Sequence, residues 1–278
     1  MSELRMRFPG GRVKALTLSY DDGVEQDARL IRIMNQHGLK GTFNLNGGLF
    51  APEEKEWPEG QIHRRLSKRA AVALYGQSGQ EIALHALYHG DLPLLPPSHA
   101  IWQVMRDKEE LEETFQCIVS GMAYPYGTIS AGLATTLKGC GMAYARTVES
   151  THGFDIPAEW LAWPATCHHN DAQLMELAER FVQEKPYRPK LFYLWGHSYE
   201  FEANDNWNVI ERFAEYIGGR EDIWYATNQE ICFYVNAWRG MRTSANGKRL
   251  YNPGMTELYL SYDERNYVIH PGETLNLP

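Results

Sequence analysis

The sequence predicts an α/β fold built on a parallel sheet, and three observations predict it. Short apolar runs of strand length alternate with stretches whose apolar residues recur at helical spacing. The alternation repeats often enough to favour a closed or nearly closed barrel over a small open sheet, a doubly wound sheet being the other arrangement the pattern allows. Polar residues of the types that do chemistry (Asp21, Asp22, His85, Tyr126, His197) fall at or just past the C-terminal ends of the expected strands, where such folds assemble their sites.

Taken in order, Lys14 to Ser19 reads as a strand. Val24, Ala28, Ile31 and Met34 then recur at helical spacing, with Gly38 as the stop. Gly41 to Leu45 is the second strand, Leu66 to Tyr75 a helix, and "GQEIALH" the third strand. Ile101 to Ile118 reads as a longer helix, with Met105, Leu111, Phe115 and Ile118 on its apolar side. "GMAYPYG" is a short strand running into a Pro-Gly turn; Ala131 to Lys138 is a helix and "MAYAR" a strand. Leu174, Leu177, Ala178, Phe181 and Val182 form an unbroken apolar stripe on one helix. "KLFYLWGH", Val209 to Ile217 and "DIWYAT" supply a strand, a helix and a strand. Near residue 240 the texture changes. "TELYLSY" and "NYVIHPGETLNL" read as a hairpin, so residues 241–278 are expected to form a small β appendage on a main domain of residues 1–240.

The chain has 278 residues, 44% hydrophobic and 22% charged, which fits one large globular domain with an appendage. Lys and Arg number 27 against 35 Asp and Glu, a net charge of 27 − 35 = −8 with no basic run, which argues against a nucleic-acid partner. No apolar stretch is long enough to span a bilayer. Cys117, Cys140, Cys167 and Cys232 form no Cys-x-x-Cys pair, so a thiolate zinc site is not expected. Their wide spacing and an N-terminal stretch lacking an apolar signal core give a cytoplasmic expectation.

Two histidines four apart in "HALYH", His85 and His89, can face the same way on a helical turn. With a carboxylate from a neighbouring strand end they make a two-His, one-Asp set that leaves positions open for water, as a catalytic metal needs. The adjacent Asp21 and Asp22 suit this: one carboxylate can bind the ion while its neighbour faces the water. The competing reading is that one of them caps the helix beginning near Val24.

These residues resemble the polysaccharide deacetylases with the NodB homology domain, carbohydrate esterase family 4. "LSYDDG" is similar to the family's T-F-D-D-G motif, and "HALYH" to H-S/T-x-x-H with Ala86 in place of the hydroxyl residue. "AYPYG" is similar to R-x-P-Y-G, and "LFYLWGH" to the Leu-x-Leu-x-x-His motif. The resemblance spans most of residues 12–230. It implies a distorted (β/α) barrel and makes residues 1–240 the deacetylase-like catalytic domain. It implies that Asp22, His85 and His89 bind a divalent metal, zinc by preference, and that Asp21 is the general base toward the attacking water. Tyr126 would offer its backbone N–H to the oxyanion, and His197 would be the general acid for the departing amine. The third motif's arginine is absent, Ala123 standing in its place, and Arg146 at another strand end could supply the charge. The fourth motif falls near "AWPATCHHND". There Trp163 is a candidate pocket wall, His168 or His169 could reach substrate, and Asn170 or Asp171 suits a helix N-cap.

Trp163, Trp195 and His168 are thus the candidate substrate contacts. The expected activity is removal of an N-acetyl group from an amino sugar, a short oligosaccharide or a related small amide. The partners expected are that substrate alone, with no nucleic acid and no membrane; the oligomeric state is open. Two alternatives stand beside it: a cyclic-amide or formamide hydrolase on the same fold, and a catalytically inactive carbohydrate-binding relic, which the loss at Ala123 would favour.

Overall fold

The structure is a computed structural model that describes residues 3–278. Its strands are β1 (Arg5–Arg7), β2 (Lys14–Asp21), β3 (Gly41–Leu45), β4 (Glu81–Leu84), β5 (Gly121–Ala123), β6 (Tyr144–Ser150), β7 (Trp163–Ala165), β8 (Cys167–His168), β9 (Lys190–Gly196), β10 (Ile223–Tyr225), β11 (Arg242–Thr243), β12 (Arg249–Tyr251), β13 (Leu258–Tyr262), β14 (Arg265–Ile269) and β15 (Thr274–Asn276). The helices are α1 (Asp27–Gln36), α2 (Lys68–Tyr75), α3 (Pro97–Phe115), α4 (Ala131–Gly139), α5 (Leu174–Gln183), α6 (Tyr199–Ala203), α7 (Asn208–Ile217) and α8 (Asn228–Arg239).

Nine parallel strands form the central sheet, in the order β7-β6-β5-β4-β3-β2-β9-β8, with β10 also paired to β2. β7 and β8 are consecutive in the chain yet sit at opposite ends of that order. Between them the Thr166 N–H donates to the Tyr193 carbonyl at 2.8 Å. The extended segment 163–168 therefore starts on β6 and finishes on β9, curling the sheet into a nearly closed barrel. Pro164 lies inside it, a residue that ordinarily argues against a central strand, and sequence reading did not find this strand.

The period-two alternation of β2 explains its composition. Leu16, Leu18 and Tyr20 enter the main core with Leu30 and Met34 of α1 and Ile210 and Phe213 of α7. Ala15, Thr17, Ser19 and Asp21 take the other face, inside the barrel. Thr17 Oγ1 donates to Asn228 there, and Asn44 Nδ2 donates to both Ser19 Oγ and Asp21 Oδ1, each at 2.8 Å. The strand drives into Asp21 because the interior row is polar from its middle upward and ends at the mouth.

Helix α3 departs from the expectation. It starts at Pro97, where proline needs no N–H partner, and Gln116 ends it in a left-handed conformation. Its buried face is Ala100, Gln103, Val104, Asp107 and Leu111, while Met105 and Ile118 point outward. Helix α8 was not legible either, although Thr227 and Glu230 cap it reciprocally.

α8 packs under a second core that joins the barrel floor to two small antiparallel sheets, β1-β13-β14 and β11-β12-β15. The N-terminal strand β1 is part of the first of these. The β13–β14 turn holds Asp263 and Glu264 both at positive φ, the geometry of a two-residue hairpin turn. No helix among the described residues is long and apolar enough to cross a membrane.

Candidate functional site

Asp21 ends β2 and Asp22 follows it at φ 84, a left-handed conformation that turns the second carboxylate away from the first. Neither caps a helix: α1 begins only at Asp27, whose own carboxylate accepts from the Val24 N–H at 3.2 Å. His85 and His89 do not sit on a helical turn as expected. They lie in a tight non-helical turn after β4, with Ala86 and His89 both left-handed and the His89 N–H closing onto the Ala86 carbonyl at 3.2 Å. Tyr126, over His89, is left-handed too, at φ 59. Four non-glycine residues in a sparsely populated backbone region thus meet at one end of the barrel, a strain that folds retain where a site requires it.

Ligand atoms of Asp22, His85 and His89 lie within 4.8 Å of one another. His85 Nδ1 donates to the Ala123 carbonyl at 2.9 Å, which fixes the tautomer and leaves Nε2 as the free lone pair. Burial lowers the pKa of both imidazoles, that of His89 to about 4, so both are neutral donors near neutral pH. Burial pushes Asp22 the other way. The hydrogen bond from His63, at 3.2 Å, and the charge of Arg65, whose guanidinium donates to Oδ1 at 3.0 Å, outweigh it and hold the carboxylate ionised. One carboxylate and two neutral imidazoles suit a divalent cation of borderline hardness.

Asp21 looks inward. Burial alone would raise its pKa, but Arg146 pulls it below the usual carboxylate range. The guanidinium donates to Asp21 Oδ2, and both side chains are essentially unexposed. Across β5 and β6, Ala123 and Arg146 are register partners. The arginine missing at position 123 has its counterpart directly opposite, one strand over. Nε2 of His85 and of His197 each lie 3.8 Å from Asp21 Oδ2.

His197 Nδ1 donates to Glu200 Oε1 at 3.0 Å. Burial lowers the His197 pKa, yet Glu200 and the two aspartates more than reverse this, and the net shift is upward. Glu200 Oε2 also lies 3.4 Å from His168 Nε2 and 3.0 Å from His169 Nε2. This trio has metal-like spacing too. However, the Asn170 N–H donates to His168 Nδ1 at 3.1 Å, so the ring proton sits on Nε2 and points at Glu200. A proton there takes away the lone pair a metal would need, and Glu200, hydrogen-bonded to His197, stays as a carboxylate among three imidazoles.

Asp21, Asp22, His85, His89, His197 and Arg146 thus converge, Tyr126 covers His89, and His168 joins through Glu200. Trp163 does not converge. It is 1% exposed and packed among Tyr144, Trp160 and Tyr193, so the expected pocket wall is part of the core instead. Trp195 borders the site, but Arg146 stacks on it at 4.3 Å and His168 meets it edge-on, so its ring supports those residues rather than lying open. The N-cap of α5 is Gln173; Asp171 accepts from the Gln173 N–H and pairs with His152. Sequence reading missed His63, Arg65, Asn44, Asp107 and Glu200. Glu200 follows His197 by one helical step and Asp107 is an acid on a buried helix face, signals that were present; His63 and Arg65 lie in an irregular loop with none.

A distorted (β/α) barrel with a paired-carboxylate, two-imidazole centre at the C-terminal mouth of its strands is the class that fold and site define. Residues 10–145 match the polysaccharide deacetylase family model. A Mycobacterium smegmatis protein classed as a polysaccharide deacetylase superposes with a TM-score of 0.62 at 15% identity, covering 86% of this chain and 96% of the other. The chitin deacetylase of Colletotrichum lindemuthianum gives 0.51 at 18% identity, covering 80% and 87%. A peptidoglycan deacetylase from Bacillus subtilis gives 0.50 at 16%, covering 84% and 95%. At these identities the likeness carries the fold. No curated protein matches the sequence significantly.

Proposed function

We propose that this protein is a metal-dependent hydrolase that removes an N-acetyl group from an amino sugar, a short oligosaccharide or a related small amide. The observation that carries the reading is the placing of the adjacent carboxylates: Asp22 groups with His85 and His89, while Asp21 pairs with Arg146 and lies equally near His85 and His197. Asp22, His85 and His89 would hold the ion, zinc being the best match to an N₂O donor set. Such an ion, when bound, supplies an acidified water and a Lewis acid for the acyl oxygen.

The remaining steps belong to the chain. Asp21, kept ionised by Arg146, accepts the proton of the attacking water. The turn at Tyr126 is closed by Gly127 N–H to the Tyr124 carbonyl and Thr128 N–H to the Pro125 carbonyl, and the Tyr126 N–H takes part in neither bond. It is the donor we assign to the developing oxyanion. His197, with its pKa raised and Nε2 toward Asp21, protonates the leaving amine. Arg146 beside Asp21 offsets the loss at Ala123 and weighs against an inactive relic.

The test joins elemental analysis to an acetate-release screen over acetylated amino sugars, with cyclic ureides and formamides in the same panel. One equivalent of divalent metal and acetate release are expected. Asp21→Asn should keep the metal and lose turnover, whereas His85→Ala should lose both. Ring opening of a ureide without acetate release would replace this reading with the cyclic-amide one. Full metal content in His85→Ala would remove that residue from the ligand set.

A further inference from the structure

The barrel interior is polar where parallel barrels ordinarily stack branched apolar side chains. Ser19 and Asp21 of β2 are register partners of Thr42 and Asn44 of β3, and all four are at most 2% exposed. Buried polar groups need partners, and here the pairing runs as one column from the barrel floor to its mouth. At the floor, Glu81 Oε2 accepts from Thr42 Oγ1 at 2.7 Å and from the Gln229 N–H at 2.9 Å. The Asn228 N–H donates to Thr42 Oγ1 at 3.1 Å, so the first turn of α8 is pinned inside the barrel and Asn228 is fully buried. Asn228 Oδ1 accepts from Thr17 Oγ1 at 2.8 Å, and its Nδ2 donates to the Tyr193 hydroxyl at 2.7 Å. That hydroxyl also bonds the Ser19 side chain. Asn44 Nδ2 then donates to Ser19 Oγ and to Asp21 Oδ1, each at 2.8 Å.

Asn44 is the last link, and its orientation is forced. One Nδ2 hydrogen goes to Ser19 and the other to Asp21. Its oxygen has no hydrogen-bond partner among the described residues. A buried acceptor left unpaired costs stability, yet turning the amide over would set that oxygen against the Asp21 carboxylate. With Arg146 on Oδ2 and Asn44 on Oδ1, both oxygens of Asp21 are gripped and the carboxylate plane is fixed. Each oxygen keeps a second lone pair to take a proton.

We propose that Asn44 is a positioning residue for Asp21, and that Tyr193 and Asn228 hold Asn44 in its orientation from the barrel floor. The proposal rests on the function proposed above, which makes Asp21 the base. None of the three residues belongs to the Asp22, His85 and His89 set. Misplacing a reacting group by about 1 Å costs about a hundredfold in rate, so the column acts on kcat and leaves metal and substrate affinity alone.

The experiment compares the full-length, zinc-loaded wild type with Asn44→Ala, Tyr193→Phe and the double variant. Chelator competition reads metal affinity, and acetate release from the N-acetylglucosamine dimer reads kcat and KM. Side-chain amide resonances in proton–nitrogen correlation spectra read Asn44 itself. Asn44→Ala should lower kcat about a hundredfold and Tyr193→Phe about tenfold, with KM and metal affinity within about twofold of the wild type. Because the two act in series, the double variant should be no slower than Asn44→Ala alone. Tyr193→Phe removes one oxygen and keeps the ring packed, so it decides the matter where Asn44→Ala fails to fold; the Asn44 resonance should shift in it. Wild-type kcat in Tyr193→Phe, or an Asn44 resonance it does not move, would detach the column from Asp21. Metal affinity or KM changing as much as kcat would show a loosened barrel instead. A wild type that releases no acetate sinks the deacetylase reading, and the Asn44 resonance in Asp21→Asn and Tyr193→Phe then still shows whether the column grips Asp21.

Discussion

Arg146 and Asp21 form an ion pair sealed inside the barrel mouth, with the guanidinium carried on β6 at the register position facing Ala123 of β5. Removing one partner of such a pair leaves a buried charge uncompensated, at about 3–5 kcal/mol. Arg146→Ala should therefore destabilise the fold and also raise the Asp21 pKa, cutting kcat about a hundredfold or more. The register supplies a sharper test. Moving the arginine back, in the double variant Ala123→Arg, Arg146→Ala, should recover part of the lost kcat. A double variant no better than Arg146→Ala alone would show that the charge acts only from β6.

Beneath His85 lies a second buried acid. Asp107 accepts from the Gly47 N–H at 2.6 Å and from the His85 N–H at 3.2 Å. Burial raises its pKa to about 8. Asn46 Nδ2 donates to the carbonyls of His85 and Ala86, fastening the same turn from its other side. Asp107→Leu orphans the Gly47 amide and removes a second acceptor from the His85 N–H, which keeps the Leu45 carbonyl, so the turn loosens and metal affinity, measured by competition with a chelator, should fall about tenfold or more. Asp107→Asn keeps an acceptor and should lose much less. Equal affinity in wild type and the leucine variant would detach Asp107 from the site.

Glu200 sets the proton affinity of His197. In the general-acid role proposed for it, His197 works only while protonated, so rate should decline as pH rises through its pKa, which lies above the ordinary histidine value. Glu200→Gln keeps an oxygen for Nδ1–H but removes the charge. The descending limb of kcat/KM should then move to lower pH by about one unit. A limb that stays put would assign the raised pKa to the aspartates instead.

The residues legible in the sequence were those that chain-local pattern places at strand ends: Asp21, Asp22, His85, His89 and His197. Arg146 was legible as a candidate because it, too, ends an apolar run. What the pattern could not give was register. Only pairing of β5 with β6 reveals that Arg146 faces Ala123. Trp163 failed for a related reason. Its segment is too short and proline-broken to be read as a strand, so nothing in the sequence told which way its side chain points. The expected apolar side of α3 failed because its buried face is partly polar, Gln103 and Asp107 being inside while Met105 is out. Polar residues buried to accept from neighbouring backbone, as Gln103 does from Tyr88 and Asp107 from Gly47, break the helical period that sequence reading relies on.

Asp27 shows the same principle as a pH-dependent stability. Its carboxyl is fully buried at the start of α1, accepting from Ser198, Tyr75 and the Val24 N–H, with no cation in contact among the described residues. Burial dominates, and its pKa rises from 3.8 to about 7. Between those values the folded state holds a proton that the unfolded chain has released. The sign is therefore negative: Asp27's contribution is complete below about pH 4 and is lost as pH climbs through about 7, a change of about 4 kcal/mol for the full shift. Asn keeps the shape and cannot ionise. Urea midpoints at pH 4.5 and pH 7.5 should thus show Asp27→Asn gaining on the wild type as pH rises, whatever the other carboxylates contribute to both proteins. A stability difference independent of pH would mean that Asp27 ionises in the fold as readily as in water, and that the hydroxyls of Ser198 and Tyr75 solvate its charge in full.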